Sequence, residues 1–364
     1  VKTLDVRAHS LSLPAFLPDA TYGFVRSLTS ADLTEVGVKA LMMNAFHLMQ
    51  KPGSSVVQGL GGLHRMSAWD GIIMTDSGGF QAYSLIRQNA KFGSLGENGI
   101  IFRPESSSRK LILTPEKSIQ LQFGYGADIL ICLDDCTHVD APFQEQQLSV
   151  SRTIKWAKRA KAAFQEQLSS RKVDAKDRPL LFGVIQGGGY PELRKICAES
   201  LLEIGFDGFG FGGWPLDDQS NLLTDILEYT RSVVPPQFPI HALGIGHPVS
   251  VAACYRMGYE LFDCAMPTRD ARHGRLYALK SPKAVPGKGN DWFGFRYIND
   301  EQYMRSHQAV SPGCDCPCCR HYSLAYLSHL YRMQDSAYFR LATQHNLRFM
   351  TRLMEQLRND SQQP

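Results

Sequence analysis

Short apolar runs that end in small or polar residues, each followed by a stretch at helical spacing, recur along most of this chain. The runs are LSLPAFLPDA (11–20), ALMMNAFHL (40–48), IIMTDSGGF (72–80), DILICLDDC (128–136), LLFGVIQGG (180–188), FDGFGFGG (206–213), IHALGIG (240–246) and LFDCAMPT (261–268). Their shortness and their small-residue ends predict buried strands. Between them, 143–168 sets apolar residues among Lys, Arg and Gln at helical spacing. The stretch 191–204 opens on Pro191 and stops at Gly205, as helix start and stop chemistry requires. Helices at 222–234 and 249–257 complete the alternation. Eight strand-like runs with helices between them predict an α/β fold, a (β/α)8 TIM barrel, with a doubly wound sheet as the alternative.

A barrel localises function, because its active site sits at the C-terminal ends of the strands. Those ends carry Asn44 and His47, Asp76-Ser77-Gly78-Gly79, Asp134-Asp135, Gln186-Gly187-Gly188, Gly212-Gly213, Gly244 and Asp263. Each has a bland explanation, glycine for a tight turn or Asp as a helix cap. Their common placement predicts one polar mouth. Two stretches break the alternation. Residues 89–118 contain Gly-rich breaks and β-type runs (GIIFRP, RKLILT), which predicts a hairpin insertion over the mouth. Residues 281–312 mark the departure from the barrel, so the expected division is a barrel over 1–280 and a second unit over 281–364.

Composition changes this picture little: of 364 residues, 43% are apolar and 20% charged, as in a globular enzyme. A net charge of +4 does not by itself point to nucleic acid, so any basic footprint must be local. No apolar run approaches membrane-spanning length, and the start has no signal-peptide core. Nine cysteines, four of them within 314–319, argue for a reducing compartment and one metal site, hence a cytoplasmic protein.

Cys314, Cys316 and Cys319 with one histidine would satisfy a tetrahedral structural zinc. His321 lies too close to Cys319 to reach the same ion without strain, and His329 in SLAYLSHL suits helix packing. His345, in ATQHNLRFM, can return on a long helix. Cys318 in place of Cys319 is the less favoured spacing. The stretch LFDCAMPTRDARHG (261–274) delivers Asp263 from an apolar strand into a basic run with Arg269, Arg272 and, just beyond, Arg275. A carboxylate there suits a nucleophile acting on an anionic polymer; the plain reading is an Asp paired with nearby arginines.

Taken together, NAFHL, TDSGGFQ, LDDCT, VIQGG, FDGFGFGG, LGIG, FDCAMPTRDARHG and CDCPCC…QHN make the chain resemble the tRNA-guanine transglycosylases over nearly its whole length. The resemblance implies a (β/α)8 barrel with a zinc-bearing subdomain, usually a homodimer. Such an enzyme exchanges guanine at the wobble position of a GUN-anticodon tRNA for a 7-deazaguanine base. It implies Asp263 as nucleophile at C1′ and Asp76 as general acid/base. Asp134, Gln186 and the backbone of Gly213 would grip the base; Asn44 and Gln81 would support Asp76; Leu243 and Gly244 would line the pocket. It implies Cys314, Cys316, Cys319 and His345 as zinc ligands. Arg269, Arg272 and Arg275, with Lys and Arg of 281–296, would contact phosphates. A retaining exchange at a glycosidic carbon needs such a carboxylate pair.

One departure stands out. Where bacterial members follow Gly-Gly with Leu-Ala-Val-Gly, this chain has Trp214-Pro215-Leu216. Cys136, by contrast, matches enzymes that use the small aminomethyl base preQ1. The incoming base, preQ1, queuine or preQ0, is therefore left open. A noncatalytic tRNA-binding partner subunit and a DNA-modifying relative are the rival readings; the presence of Asp76, Asp263 and Gln186 speaks against the first, and the zinc motif with TRDARHG against the second.

Overall fold

The computed structural model describes residues 2–360 except 89, 90, 92, 103–110, 139, 218, 220, 282, 283 and 290. The chain opens with an antiparallel hairpin, β1 (Thr3–Val6) and β2 (His9–Ser12), followed by β3 (Ala15–Pro18), β4 (Ala40–Met43) and β5 (Ile72–Thr75). A small antiparallel sheet holds β6 (Gly93–Gly96), β7 (Gly99–Phe102) and β8 (Leu111–Leu113). Then come β9 (Ile129–Ile131), β10 (Leu180–Ile185), β11 (Gly208–Phe211), β12 (Ile240–Ala242) and β13 (Leu261–Cys264). A last antiparallel pair joins β14 (Arg275–Leu279) to β15 (Phe293–Tyr297).

Eight strands form one sheet in the order β3-β13-β12-β11-β10-β9-β5-β4, with every neighbouring pair parallel. The two ends meet where Asp19 bridges Met42 and the Ala20 N–H donates to the Met42 carbonyl at 2.7 Å. The fold is thus the expected (β/α)8 barrel rather than an open sheet. Each of the eight apolar runs supplies one strand of the barrel. The helix read at 191–204 spans Pro191–Ile204 with Gly205 as its left-handed C-cap, and the long helix runs Phe143–Ser170.

Alternation along each strand sorts side chains into two apolar layers. Leu17, Met42, Met74, Ile131, Val184 and Leu261 fill the barrel interior. Phe16, Leu41, Ile73, Leu130 and Phe262 face outward and pack with helix residues such as Trp156 and Phe164. On β11 the inward positions are Gly208 and Gly210. A Cβ on Gly208 would sit 2.4 Å from the Phe182 ring, so the missing side chain makes room for that phenyl.

The N-terminal hairpin was not anticipated, since the run over 11–20 reads as one strand. Pro14 divides it, and Leu4, Val6, Leu11 and Leu13 join the interior cluster as a plug under the barrel. The 89–118 excursion contributes three short strands. Residues 103–110, including Arg109 and Lys110 of the RKLILT run, lie outside the described residues.

Beyond the barrel, the short helix Pro317–His321 and the helices Leu324–Arg332 and Ser336–Asp360 surround a separate core of Leu276, Ile298, Cys318, Leu324, Leu327 and Tyr338. The helix Ser336–Asp360 returns to the barrel. There Arg340 and Gln344 both donate to Asp32, and Thr351 donates to the Val36 carbonyl. No helix among the described residues is long and apolar enough to cross a membrane.

Candidate active site

The interior register explains which polar groups reach the mouth. On five strands the inward sequence passes from an apolar residue to a polar one at the next inward position. The pairs are Leu17 then Asp19, Met42 then Asn44, Met74 then Asp76, Val184 then Gln186, and Leu261 then Asp263. The polar layer therefore sits directly on the apolar one. It borders a cavity of about 550 Å³ whose walls include Asp76, Phe80, Asp134, Trp214, Leu243 and Asp263.

Asp76 is the most constrained of these groups. Its Oδ1 accepts from the backbone N–H of Ala45 at 3.0 Å and of Gly78 at 3.1 Å. Its Oδ2 accepts from the Asn44 and Gln81 side-chain amides. Asn44 is itself fixed, because its Oδ1 caps the next helix by accepting from His47 N–H. Burial raises the Asp76 pKa to about 7, with Asp263 and Asp19 adding repulsion that the two N–H donors only partly offset. Such a carboxyl can hold or release a proton near neutrality.

Burial raises Asp134 to about 6 against a 2.6 Å hydrogen bond from Gln186 Nε2, and repulsion from Asp135 adds to the rise. Gln186 is wholly buried, and its Oε1 has no hydrogen-bond partner among the described residues. It offers an acceptor beside the cavity, the kind of group that a ligand N–H completes. Arg194 holds this wall from behind, donating to the carbonyls of Gly188, Ile185 and Gly212, with its guanidinium 4.1 Å above the Phe211 ring. Gly213 is left-handed (φ 88°), and a Cβ on Gly212 would meet Gln186 Nε2 at 2.5 Å. Glycine there keeps the wall thin.

Asp263 lies near the end of β13, with Oδ1 accepting from Gly244 N–H at 2.9 Å. Beneath it lies the buried imidazole of His241, with Nε2 2.9 Å from the same oxygen. Asp19 stands on the neighbouring strand. Burial raises its pKa, the Thr21 hydroxyl counters this, and Asp263 pushes it up again. Arg269 lines the cavity, and Arg272 lies where Arg26 and Asp19 act on it. Arg275 is engaged elsewhere: it pairs with buried Asp270 and lies over the Phe295 ring. Lys283 of the 281–296 segment is outside the described residues. Asp135, the second carboxylate of LDDCT, pairs with Arg152 instead of facing the cavity.

The strand-end rule could have found Asp19, since it follows an apolar strand just as Asp76 does. His241 was missed because IHALGIG reads as an apolar run; counting its alternation places it inward. Arg194 carries no sequence signal, as an Arg within PELRK reads as a solvated helix face.

Cys314, Cys316, Cys319 and His345 bring their ligand atoms within 4.8 Å of one another. His345 Nε2 lies 2.7 Å from the Tyr277 carbonyl, to which it donates, and this leaves Nδ1 with its lone pair toward the three sulfurs at 3.8, 3.5 and 3.2 Å. The donor set fits a closed tetrahedral metal site. Cys318 packs in the apolar core instead, and His321 and His329 are exposed.

A barrel that brings Asp76, Asp134 and Asp263 to one cavity, with a separate Cys3His cluster, suits an enzyme that works at a glycosidic bond. The chain belongs to the queuine tRNA-ribosyltransferase family, whose family model matches residues 1–362. A relative of that name from Actinobacillus pleuropneumoniae serotype 3 (strain JL03) is 38% identical over 345 residues, covering 95% of this chain and 84% of its own. Another from Mannheimia succiniciproducens is 36% identical over 354 residues, covering 97% of this chain and 87% of its own. A third, from Psychrobacter cryohalolentis, is 35% identical over 361 residues, covering 99% of this chain and 89% of its own.

Two predictions arise from this geometry. Asp76 and Asp134 keep protons to about 7 and about 6, whereas an unfolded Asp releases its own near pH ~4. The folded state therefore binds more protons across that window, and stability falls as pH rises through it. Urea denaturation between pH 4 and pH 8 will show this slope, and Asp76→Asn will flatten it; an unchanged slope in the variant would remove Asp76 as its source. Prolonged treatment with a chelator will lower the melting temperature by about 5 °C or more, and added zinc will restore it.

Proposed function

We propose that this protein is a tRNA-guanine transglycosylase. It exchanges guanine at wobble position 34 of GUN-anticodon tRNAs for a 7-deazaguanine base through a covalent ribosyl–Asp263 intermediate. The observation that carries the reading is the pairing of a proton-holding Asp76 with the backbone-anchored Asp263 at one cavity. Names of the relatives point the same way.

The chemistry follows from the arrangement. The target base, turned out of the anticodon loop, enters the cavity and is read on its hydrogen-bonding edge. Asp134, Gln186 and the Gly213 backbone supply donors and acceptors along that edge. Asp263 attacks C1′ while the departing purine takes the proton held by Asp76, which divides one difficult displacement into two easier ones. The incoming base then returns its proton to Asp76 and displaces Asp263. Arg269 and Arg272, with Arg26, supply positive charge for the phosphates on either side. Zinc in the Cys3His cluster would be structural, tying the CDCPCC turn to the terminal helix. The resemblance also carries the expectation of a cytoplasmic homodimer.

Trp214 bears on the base. Its indole lies 5.7 Å from the Phe80 ring and 5.7 Å from the His138 ring, an aromatic run across the cavity rim. This narrows the side on which a 7-substituent would project.

Radiolabelled guanine will exchange into a GUN-anticodon tRNA and not into duplex DNA, and Asp263→Asn will lower the rate at least about 1,000-fold. Exchange that survives in Asp263→Asn would sink the nucleophile assignment, and exchange into DNA the substrate. In competition, preQ1 and preQ0 will enter ahead of queuine, with Trp214→Ala narrowing the difference.

A further inference from the structure

His241 lies on β12 between Ile240 and Ala242, whose side chains pack outward among the helices. Alternation turns the imidazole into the barrel, one layer below the rim, in register with Gly210 of β11 and Leu261 of β13. It is fully buried, and the interior around that layer is built from apolar residues such as Met42, Met74, Val184 and Leu261. Neither ring nitrogen has an aligned hydrogen bond among the described residues. A polar ring in such surroundings gives up its hydration without full return, where an apolar side chain would pack at no such cost.

What the ring does reach is the end of β13. Nε2 is 2.9 Å from Asp263 Oδ1, a bonding length in a direction that misses hydrogen-bond alignment. The Gly244 N–H donates to the same oxygen. No hydrogen bond to Oδ2 is found among the described residues. One carboxylate oxygen is therefore approached from two sides, and the other is left unengaged.

We propose that His241 is a positioning residue for Asp263, an inference that rests on the transglycosylase reading above. When substrate closes the site, the Nε2–H comes into line and donates to Oδ1, which fixes the carboxylate with Oδ2 toward C1′. Oδ2 gives its electron pair to C1′ as the C1′–N9 bond breaks. The pair from that bond goes to the purine, which takes the Asp76 proton. In the resulting ester, Oδ1 is the carbonyl oxygen and keeps its bond from His241. The incoming base yields its N9 proton to Asp76 and attacks C1′, and Oδ2 departs with the pair it gave.

The test compares two substitutions of nearly equal length. His241→Gln retains an N–H donor near the place of Nε2; His241→Met retains bulk without one, in an interior that already holds two methionines. With guanine exchange into a GUN-anticodon tRNA as the assay, His241→Met will lower kcat by about 10- to 100-fold while KM for tRNA stays within about twofold. The protein–tRNA adduct surviving a denaturing gel will form correspondingly more slowly. His241→Gln will recover most of both losses, with melting curves of the two variants alike. A His241→Met enzyme with kcat within about twofold of wild type overturns the proposal, as does an equal loss in both variants. Wild-type exchange in the same assay tests the transglycosylase reading separately from His241.

Discussion

Closure of the eight-stranded sheet is the constraint on which this molecule depends. Once β3 meets β4 through Asp19 and Met42, every strand points the same way and every inward side chain belongs to a shared layer. Apolar layers can fill only as far as the strands are covered. At the next inward position water becomes available, and the chain changes character there: Asp19, Asn44, Asp76, Gln186 and Asp263. Their convergence is a consequence of parallel strands with period two, not of any local motif. It also sets their energetics. Three carboxyls at the edge of a dry interior repel one another and lose hydration together, and Asp76, the most enclosed, responds by holding its proton.

Period-two alternation in parallel strands makes much of the candidate site legible in the sequence. The strand-end residues follow apolar runs at fixed intervals, so a reader who accepts the barrel obtains Asp76, Asp134, Gln186 and Asp263 without knowing a contact. The Cys3His cluster was legible for a different reason: three thiols in six residues, with a histidine that a long helix can return, match the donor set of a tetrahedral metal site. Other features depend on distance in space alone. Arg194 braces the carbonyls of Ile185, Gly188 and Gly212 from a helix, and only the fold brings its guanidinium over Phe211. Arg275 sits in a basic run that suits phosphate, yet the nearest buried carboxyl, Asp270, claims it. The N-terminal hairpin hid inside a run whose apolar character was real but which Pro14 divides between β2 and β3.

The Cys3His cluster is far along the chain from the carboxyls, yet the hydrogen bonds connect them. His345 donates to the Tyr277 carbonyl, and the adjacent Asn346 accepts from Tyr277 N–H. The Asn346 amide donates to the carbonyls of Pro267 and Arg275. Tyr338, on the same helix, donates to the Ala271 carbonyl, and the Tyr277 hydroxyl to Asp270. The segment after Asp263, with its arginines, is thus held at several points by the helix that carries the histidine of the cluster. Asn346 is wholly buried, so loosening that helix would leave three backbone groups without partners, a penalty that makes the arrangement stiff. A metal drawing His345 toward the three sulfurs would therefore act on the reaction without touching it. By fixing the helix it fixes where the chain goes as it leaves β13, and with that the positions of Arg272 and of Arg269, which lines the cavity.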